Sequence, residues 1–406
     1  MAAWNHRPID SALWRNRTGA ILVAFQIAIG LAVLVNAVYV VKQRVELIGR
    51  PTGMDTANMI WVASAGFAKD FDYDASWRED IAALRAIPGV KAASLISNIP
   101  LSGGGSSSGF QAKPGEPTPD EIVPANTYEV DEQGVEALGI KLAAGRNFEA
   151  SEILPAIDAF DGAPQAIVTK AFAKDMFPDD PNPVGKAFYD GLGKPTVVVG
   201  IIEHMHGAWV GWDKLDHVML YPRIKNGPSA VYVVRTEPGR RDGVMREIEA
   251  KLGDSNPGRL LRWVRPFDYF IHQSYLGDRN MAIFLVCVTS ALLAITALGI
   301  FGLATFNVST RIRQIGTRRA VGARRMDIVR HFLVENWMVT TAGVVAGCGA
   351  ALGIGYWISV KYELPRLDLY YLVGGVLVIW LIGLAAALQP ARRASAISPA
   401  VASRTV

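Results

Sequence analysis

Two histidines are the residues of this sequence whose type and spacing most directly suggest chemistry. His204 and His206 flank Met205, and Glu203 precedes them. Alternate residues of a strand share one face, so the two imidazoles could bind a metal ion such as zinc. The other histidines are scattered and supply no second cluster nearby in the sequence. We therefore expect a polar strand end here rather than a metal site.

Two lysine-containing segments resemble fragments of a phosphate-binding loop. Residues 185–187 read Gly-Lys-Ala and residues 193–196 read Gly-Lys-Pro-Thr, but neither has the glycine and the Ser/Thr at the spacing that cradles a phosphate. The sequence predicts no nucleophile elbow at a strand-to-helix turn and has no zinc-protease motif. We expect a non-catalytic chain with no catalytic residue, no metal and no cofactor of its own.

The main structural elements that the sequence predicts are four uncharged apolar runs. The chain has 406 residues, 50% of them hydrophobic and 19% charged, with a mean hydropathy of +0.22. About 20 helical residues cross a hydrocarbon core of about 30 Å, and each run is that long. We predict four transmembrane helices, over residues 20–41, 281–308, 337–360 and 369–388. The first run is longer than a secretory signal and no cleavage site follows it, so we expect an uncleaved anchor.

Arginines in the short connections predict the orientation. Residues 309–336 carry seven arginines against Asp327 and Glu335, and residues 389–406 carry three arginines with no acidic residue. Such connections stay in the cytoplasm. We therefore expect residues 1–19, 309–336 and 389–406 to be cytoplasmic, and residues 42–280 and the short loop 361–368 to lie outside. The first span has three basic residues on each side and does not decide the orientation by itself.

The predicted outer domain, residues 42–280, carries 26 basic and 32 acidic residues, a net charge of −6. The positive balance of the whole chain therefore belongs to the cytoplasmic side. Nucleic-acid binding by the outer domain loses its electrostatic basis. The chain's two cysteines fall in predicted spans, so they form no disulfide framework and are expected to act as small packing residues.

Hydrophobic periodicity predicts an α+β fold for this domain. Two strand–helix–strand units lie at its ends, and they could pair into one split βαβ sheet with an inserted, strand-rich subdomain at about residues 100–228. A Ser76–Glu79 capping box is expected to open the first helix. The predicted strands are 59–63, 91–97, 230–234 and 259–264 in the two units and 123–130, 166–169 and 196–202 in the insert; the predicted helices begin at Ser76 and span 242–252.

A Gly/Ser-rich segment, residues 102–109, stands at the entrance of the insert. Its composition is typical of a flexible, exposed loop. A loop that contacts a partner is the alternative, and we favour the simple exposed tip.

The predicted spans contain no Asp, Glu, Lys, Arg or His. Ion and proton pathways usually need such groups within the membrane, so a substrate channel through the bundle is not expected. The third span instead has two small-xxx-small pairs, Gly343 with Gly347 and Gly349 with Gly353. These pairs permit close helix packing, either within one subunit or between two.

Residues 309–336, hereafter the coupling segment, combine arginines with apolar residues at helical spacing. This pattern predicts a short amphipathic helix continuous with the third span. The helix could lie on anionic lipid, or it could dock in a groove of a cytoplasmic partner and pass motion to the spans.

Within this segment, residues 314–323 (Gln-Ile-Gly-Thr-Arg-Arg-Ala-Val-Gly-Ala) resemble the connection between the second and third spans of MacB- and FtsX-type ABC transporter permeases. Residues 390–395 and 398–400 resemble the ending of that family. Within the outer domain, residues 87–90, 138–140, 145–148 and 182–186 resemble short motifs of the MacB-type periplasmic core. The order of these motifs, over nearly the whole chain, carries the resemblance.

The resemblance implies a protein of the bacterial inner membrane whose large periplasmic domain consists of Porter-like and Sabre-like subdomains. It also implies mechanotransmission: a cytoplasmic ABC ATPase, binding ATP and Mg²⁺, would move the periplasmic domain without passing substrate through the membrane. A second permease copy or a homologue and a periplasmic adaptor are the other implied partners. Residues of the predicted amphipathic helix and of the turn before it are the expected ATPase-coupling set: Val321, Gly322, Arg324, Arg325, Ile328, Val329, Phe332, Leu333 and Glu335.

Two departures from the family pattern stand out. Gln314 occupies a position where the family often has Glu, which puts one coupling contact in question. The 406 residues also include no nucleotide-binding domain, so we expect a separate chain to supply the ATPase. Efflux of a drug or a peptide is the favoured function. Lipoprotein extraction or regulation of envelope enzymes is an alternative within the family, and a membrane-anchored receptor without an ATPase is an alternative outside it.

Overall fold

The structure, a computed structural model, describes residues 17–116, 118–155, 163–224, 227–253, 255–256, 258–362 and 367–398. Predictions for residues 1–16, 363–366 and 399–406 lie outside the described residues. The chain divides into two compact units, one of residues 49–277 and one formed by the segments on either side. We refer to them as the outer unit and the helical unit.

The helices and strands are numbered in chain order. The helices are α1 Arg17–Ile48, α2 Tyr73–Arg85, α3 Gly134–Ala137, α4 Lys170–Met176, α5 Arg241–Gly253, α6 Phe267–Ser274, α7 Leu276–Thr310, α8 Ile312–Ala320, α9 Arg325–Tyr362 and α10 Leu369–Ser395. The strands are β1 Met59–Gly66, β2 Val90–Leu95, β3 Ser106–Gln111, β4 Val123–Val130, β5 Leu142–Gly145, β6 Gln165–Thr169, β7 Ala187–Asp190, β8 Pro195–Ile202, β9 Val218–Pro222, β10 Ser229–Thr236 and β11 Arg259–Pro266.

Four of these helices, α1, α7, α9 and α10, are long and apolar enough to cross a membrane. Each contains one of the four apolar runs found in the sequence, which gives the fold its membrane-protein class. Helix α9 is longer than the predicted third span because it begins at Arg325, within the coupling segment. The expected continuity between an amphipathic segment and a membrane helix is therefore present.

Helix α1 lies at the centre of the helical unit, where Ile27 and Leu31 are fully buried. It packs closely on α9 through small residues. A Cβ atom at Gly343 would lie 2.7 Å from the Ala24 carbonyl oxygen, and one at Gly347 would lie 3.0 Å from the Ala28 carbonyl oxygen. The first glycine pair therefore serves packing within one subunit.

The other glycine pair has a different environment. A Cβ atom at Gly349 or Gly353 would meet no atom within 4 Å in the part of the chain that the structure describes. This side of α9 is therefore not used for packing within the described helical unit.

The two strand–helix–strand units of the outer unit form one four-stranded sheet in the order β11–β1–β10–β2, with antiparallel neighbours throughout. Each unit straddles a strand of the other, which is the predicted split βαβ arrangement. Helices α2 and α5 cover one face of the sheet. Their buried residues include Leu84, Ile248 and Leu252, which join Ile60 and Val234 of the sheet in one core.

The predicted capping box at Ser76 is wrong. Helix α2 begins at Tyr73, and Asp72 caps it by accepting a hydrogen bond from the Ala75 amide at 3.0 Å. Ser76 is buried inside the first turn, and its amide donates to the Asp72 carbonyl. Asp is a strong N-cap residue, and here it starts the helix one turn earlier than the Ser-x-x-Glu pattern suggests.

The insert forms a seven-stranded sheet in the order β5–β8–β6–β9–β4–β3–β7. Strand β7 also pairs with β8, so six of these strands close into a ring. Phe110, Phe172 and Phe188 fill one end of its interior, with ring centroids 5.4 to 6.0 Å apart and near-perpendicular planes. Such edge-to-face packing is favourable for aromatic rings.

The predicted flexible loop at residues 102–109 is only partly present. Ser106–Gln111 is strand β3, which pairs with β4 in the register Ser106↔Thr127. The three serines at its start are exposed, while Phe110 and Gln111 are buried. The strand forms because β4 satisfies its backbone hydrogen bonds, which composition alone does not reveal.

The split sheet and the insert share a second apolar core. Met59, Trp61 and Phe267 from the sheet side belong to the same buried cluster as Tyr128 and Leu220 from the insert. An ion pair adds to this junction. The Arg85 guanidinium donates to the Asp131 carboxylate at 3.1 Å and to the Glu132 carboxylate at 2.8 Å, which links α2 to the chain after β4.

Asp131 gives the outer unit an expected pH dependence. Burial raises the pKa of its carboxyl to about 6, and the Arg85 guanidinium opposes this rise only in part. The unfolded chain has a carboxyl pKa of about 4. The carboxyl's contribution to stability is therefore fully present below about pH 4 and is lost as the pH rises through about 6. We expect the thermal unfolding midpoint of the natural chain, measured relative to that of the Asp131→Asn variant, to decrease as the pH is raised from about 4 to above 6. If the midpoint of the natural chain instead increases relative to that of the variant as the pH rises, attraction by the Arg85 guanidinium outweighs the effect of burial on Asp131.

Candidate functional site

The backbone of the coupling segment turns sharply between two helices. Helix α8 ends at Ala320, and α9 begins at Arg325. Gly322 has a φ of +103°, a conformation that disfavours residues with a Cβ atom, so glycine suits this corner. The Asp327 carboxylate accepts a hydrogen bond from the Arg324 amide at 3.0 Å and caps the start of α9. We refer to residues 321–326 as the turn.

One face of the coupling segment is packed inward. Ile315 of α8 and Ile328 and Phe332 of α9 are buried in a cluster with Ala391 and Ala394 of α10. This packing holds the turn against the end of the last long helix. Ile328 and Phe332 are therefore packed within this chain and support the segment from inside.

The other face is exposed and combines apolar with basic residues. Val321 is 85% exposed and Met326 is 74% exposed. Gly322, Arg324 and Arg325 are exposed beside them. The exposed members of the predicted coupling set are thus concentrated at the turn. Met326 was missing from that set, although an apolar residue next to two arginines at a helix start was a usable signal.

Two arginines tie the segment to its neighbours. The Arg311 guanidinium donates to the Glu335 carboxylate at 2.9 Å, and the Glu335 side chain is only 5% exposed. Arg319 donates to the carbonyl oxygens of Ser395 and Ile397 at 2.8 and 3.1 Å, which satisfies the end of α10. The sequence suggested lipid or partner contact for the arginines and did not indicate these internal bonds.

An apolar groove continues from the turn along α9. Its volume is about 370 Å³. Its lining residues are Met326, Val329, Arg330, Leu333, Val334, Trp337 and Leu384. Val329 and Leu333 of the predicted coupling set thus line this groove. The site offers apolar surface bordered by positive charge, which suits binding.

The histidine pair lies in the outer unit, between β8 and β9. His206 is buried and His204 is half-buried. The His206 Nε2 atom lies 3.3 Å from an Asp216 carboxylate oxygen, and burial lowers the pKa of His206 to about 4. Glu203 instead pairs with the Lys170 amine at 2.6 Å, so it does not join the histidines.

The two phosphate-loop-like segments make local contacts with neighbouring aspartates. The Lys186 amine lies 2.5 Å from the Asp180 carboxylate, and this partner lowers the pKa of Asp180. The Lys194 amide donates to the Asp190 side chain at 2.8 Å within a hairpin turn. These contacts are those of surface turns.

Comparison with known proteins matches both parts of the chain. Residues 20–251 match the MacB-like periplasmic core domain model, and residues 286–399 match the FtsX-like permease C-terminal model. The chain is 29% identical over 289 residues to the macrolide export ATP-binding/permease protein MacB of Bartonella quintana, covering 67% of this chain and 41% of that protein. It is 26% identical over 282 residues to the corresponding protein of Agrobacterium fabrum, covering 64% and 40%.

The chain spans about two fifths of the length of these curated relatives. Among solved structures, the periplasmic region of MacB from Actinobacillus actinomycetemcomitans aligns with 56% of this chain and 97% of that chain, at 14% identity and a TM-score of 0.33. The first family model alone covers more than half of the chain, and the second covers most of the remaining apolar helices. The chain therefore belongs to the MacB/FtsX-type family of ABC transporter permeases.

Proposed function

We propose that this permease subunit transmits force from a separate cytoplasmic ABC ATPase, which binds ATP and Mg²⁺, to its periplasmic outer unit. One observation carries the proposal: the exposed apolar and basic turn is the start of α9, one uninterrupted helix of 38 residues. A helix of that length spans about 57 Å, enough to cross a bilayer. A push on the turn is therefore delivered to the start of a rigid membrane helix.

In this proposal the chain lies in the bacterial inner membrane with both termini in the cytoplasm. The arginine content of the coupling segment and of residues 389–406 supports that orientation. A second permease copy or a homologue completes the membrane part, and a periplasmic adaptor connects it outward. Two relatives are named macrolide export proteins, which supports efflux of a drug-like substrate. A peptide is the other substrate class of this proposal, and either substrate is taken up from the periplasmic side.

The turn provides the test. We expect Val321→Asp combined with Met326→Asp to weaken binding of a co-expressed ABC ATPase by about tenfold or more, because both apolar side chains face outward and would carry charge into the interface. The measurement is the stoichiometry of ATPase that co-purifies with the full chain in nanodiscs, together with its hydrolysis rate.

Leu192→Asp is the matched control, since Leu192 is 71% exposed in the hairpin turn between β7 and β8 of the outer unit. This variant should retain the ATPase. A natural chain that purifies without any ATPase from intact membranes would favour the receptor function and overturn the proposal. Equal ATPase binding by the natural chain and the turn variant would remove the turn from the interface.

A further inference from the structure

The segment before β9 brings a third possible metal ligand, Asp216, to the place occupied by His204 and His206. Asp216 stands just before β9, and one of its carboxylate oxygens lies 3.3 Å from Nε2 of His206 and 3.9 Å from Nε2 of His204. One potential ligand atom from each of the three residues lies within 4.8 Å of the others. The carbonyl oxygen of Pro51 lies 2.8 Å from Nε2 of His204. The sequence gave no signal for Asp216, because nine residues separate it from His206.

Backbone contacts hold this cluster in place. The His206 amide donates to the Thr52 carbonyl at 3.1 Å, and the Gly207 amide donates to the Leu215 carbonyl at 2.7 Å. The His206 side chain is only 1% exposed. The two histidines and Asp216 are thus fixed by the outer unit rather than carried on a free loop.

Two polar atoms of the cluster have no hydrogen bond within the described residues. They are Nδ1 of His206 and the Asp216 oxygen that faces the histidines, and both are buried. Burying polar atoms without a hydrogen bond is costly, and such atoms in a native fold call for an explanation such as a water or an ion. The Asp216 oxygen is aimed at both imidazoles, which is the place where a cation would sit.

We propose that His204, His206 and Asp216 bind one divalent transition-metal cation of the zinc class. Two imidazoles and a carboxylate are a common donor set for zinc, whereas magnesium and calcium prefer oxygen ligands alone. Ligand atoms about 2.1 Å from a tetrahedral ion are about 3.4 Å apart, close to the separations of 3.3 and 3.9 Å here. The Pro51 carbonyl or a water completes the coordination.

Arg50 is a nearby cation whose guanidinium donates to the Val210 carbonyl at 3.4 Å. The negative charge of the Asp216 carboxylate offsets the positive charge of Arg50, which would otherwise oppose binding of a cation at His206. Pro51 follows the end of α1 by three residues in the sequence. A bound ion would therefore fix the first residues of the outer unit to the segment between β8 and β9. This inference does not depend on the proposed transport function.

The test uses the full chain in nanodiscs, freed of metal with a chelator and titrated with Zn²⁺ in competition with a chromophoric chelator. We expect about one high-affinity Zn²⁺ per chain that excess Mg²⁺ does not displace. His204→Ala and Asp216→Asn should each weaken Zn²⁺ binding by at least about tenfold, because each removes a direct ligand. His272→Ala is the matched control, since His272 is exposed and lies outside the cluster, and it should bind as the natural chain does.

Titration with Co²⁺ identifies the ligands directly. Visible absorption of a tetrahedral Co²⁺ site with nitrogen and oxygen ligands supports the proposal, whereas thiolate charge-transfer bands would assign the metal to Cys287 or Cys348 and overturn it. Absence of Zn²⁺ binding, or equal binding by the natural chain and both ligand variants, would also overturn it. Circular dichroism of each variant shows whether a loss of binding reflects a lost ligand or a lost fold, and a folded Asp216→Asn variant with unchanged affinity is decisive against the site.

Discussion

Replacing Gly343 with valine is expected to destabilise the helical unit strongly, whereas the same replacement at Gly349 is not. A Cβ atom at Gly343 would lie 2.7 Å from the Ala24 carbonyl oxygen and 2.8 Å from Cβ of Ile27. Both obstacles are the backbone or the stem of α1, so neither can move aside without separating α1 from α9. Overpacking of this kind costs about 1–3 kcal/mol, and a backbone obstacle favours the upper end of that range.

The measurement is the thermal unfolding midpoint and the monodisperse yield of the full chain in a mild detergent. Gly349→Val is the matched control, because it adds the same side chain to the same helix where a Cβ atom meets nothing within 4 Å in the described structure. If the Gly349 variant were the less stable of the two, the packing of α1 on α9 would not be the main constraint, and a contact with another subunit at Gly349 would be indicated.

Removing Arg311 is the second change from which we expect a large loss of stability. Arg311→Met would leave the Glu335 carboxylate, which is 5% exposed, without its cationic partner. Its other oxygen already lacks a hydrogen bond in the part of the chain that the structure describes. Breaking a buried ion pair on one side costs about 3–5 kcal/mol, because an uncompensated charge stays buried.

The double variant Arg311→Met with Glu335→Leu should recover much of that loss, since replacing both partners by apolar residues is often nearly neutral. Arg313→Met is the control, because Arg313 is exposed two residues further along, and it should unfold as the natural chain does. The comparison is made by denaturant or thermal unfolding of all four proteins. Equal stabilities for the single and double variants would show that the ion pair contributes little.

Much of the fold could be predicted from the sequence because its signals are local. Apolar runs mark the four long helices, and the predicted strands 59–63, 123–130 and 230–234 lie within β1, β4 and β10. The predicted split βαβ sheet formed as expected, since right-handed crossover connections leave few arrangements for two strand–helix–strand units. Helix ends were harder to predict: Asp72, and not Ser76, caps the start of α2.

The remaining features depend on contacts between residues far apart in the sequence. Strand β3 forms on serines and glycine because β4 lies beside it. In the coupling segment, helical spacing selected Phe332 along with Val321, but only packing against Ala391 and Ala394 of α10 shows that the first is buried and the second exposed. The assignment of these residues to ATPase coupling stays a prediction. Asp216 likewise joins the histidines only through the turn that precedes β9.

The place where the insert leaves the split sheet has an evolutionary consequence. The chain departs after Leu95 of β2 and returns at Ser229 of β10, and these two strands are neighbours that pair through Leu95 and Tyr232. Because the departure and return points are already side by side, a different insert can replace this one in evolution without rearranging the split sheet. Trp61 of the split sheet shares a core with Tyr128 of the insert. Any replacement insert must therefore present an apolar surface of matching shape to the split sheet.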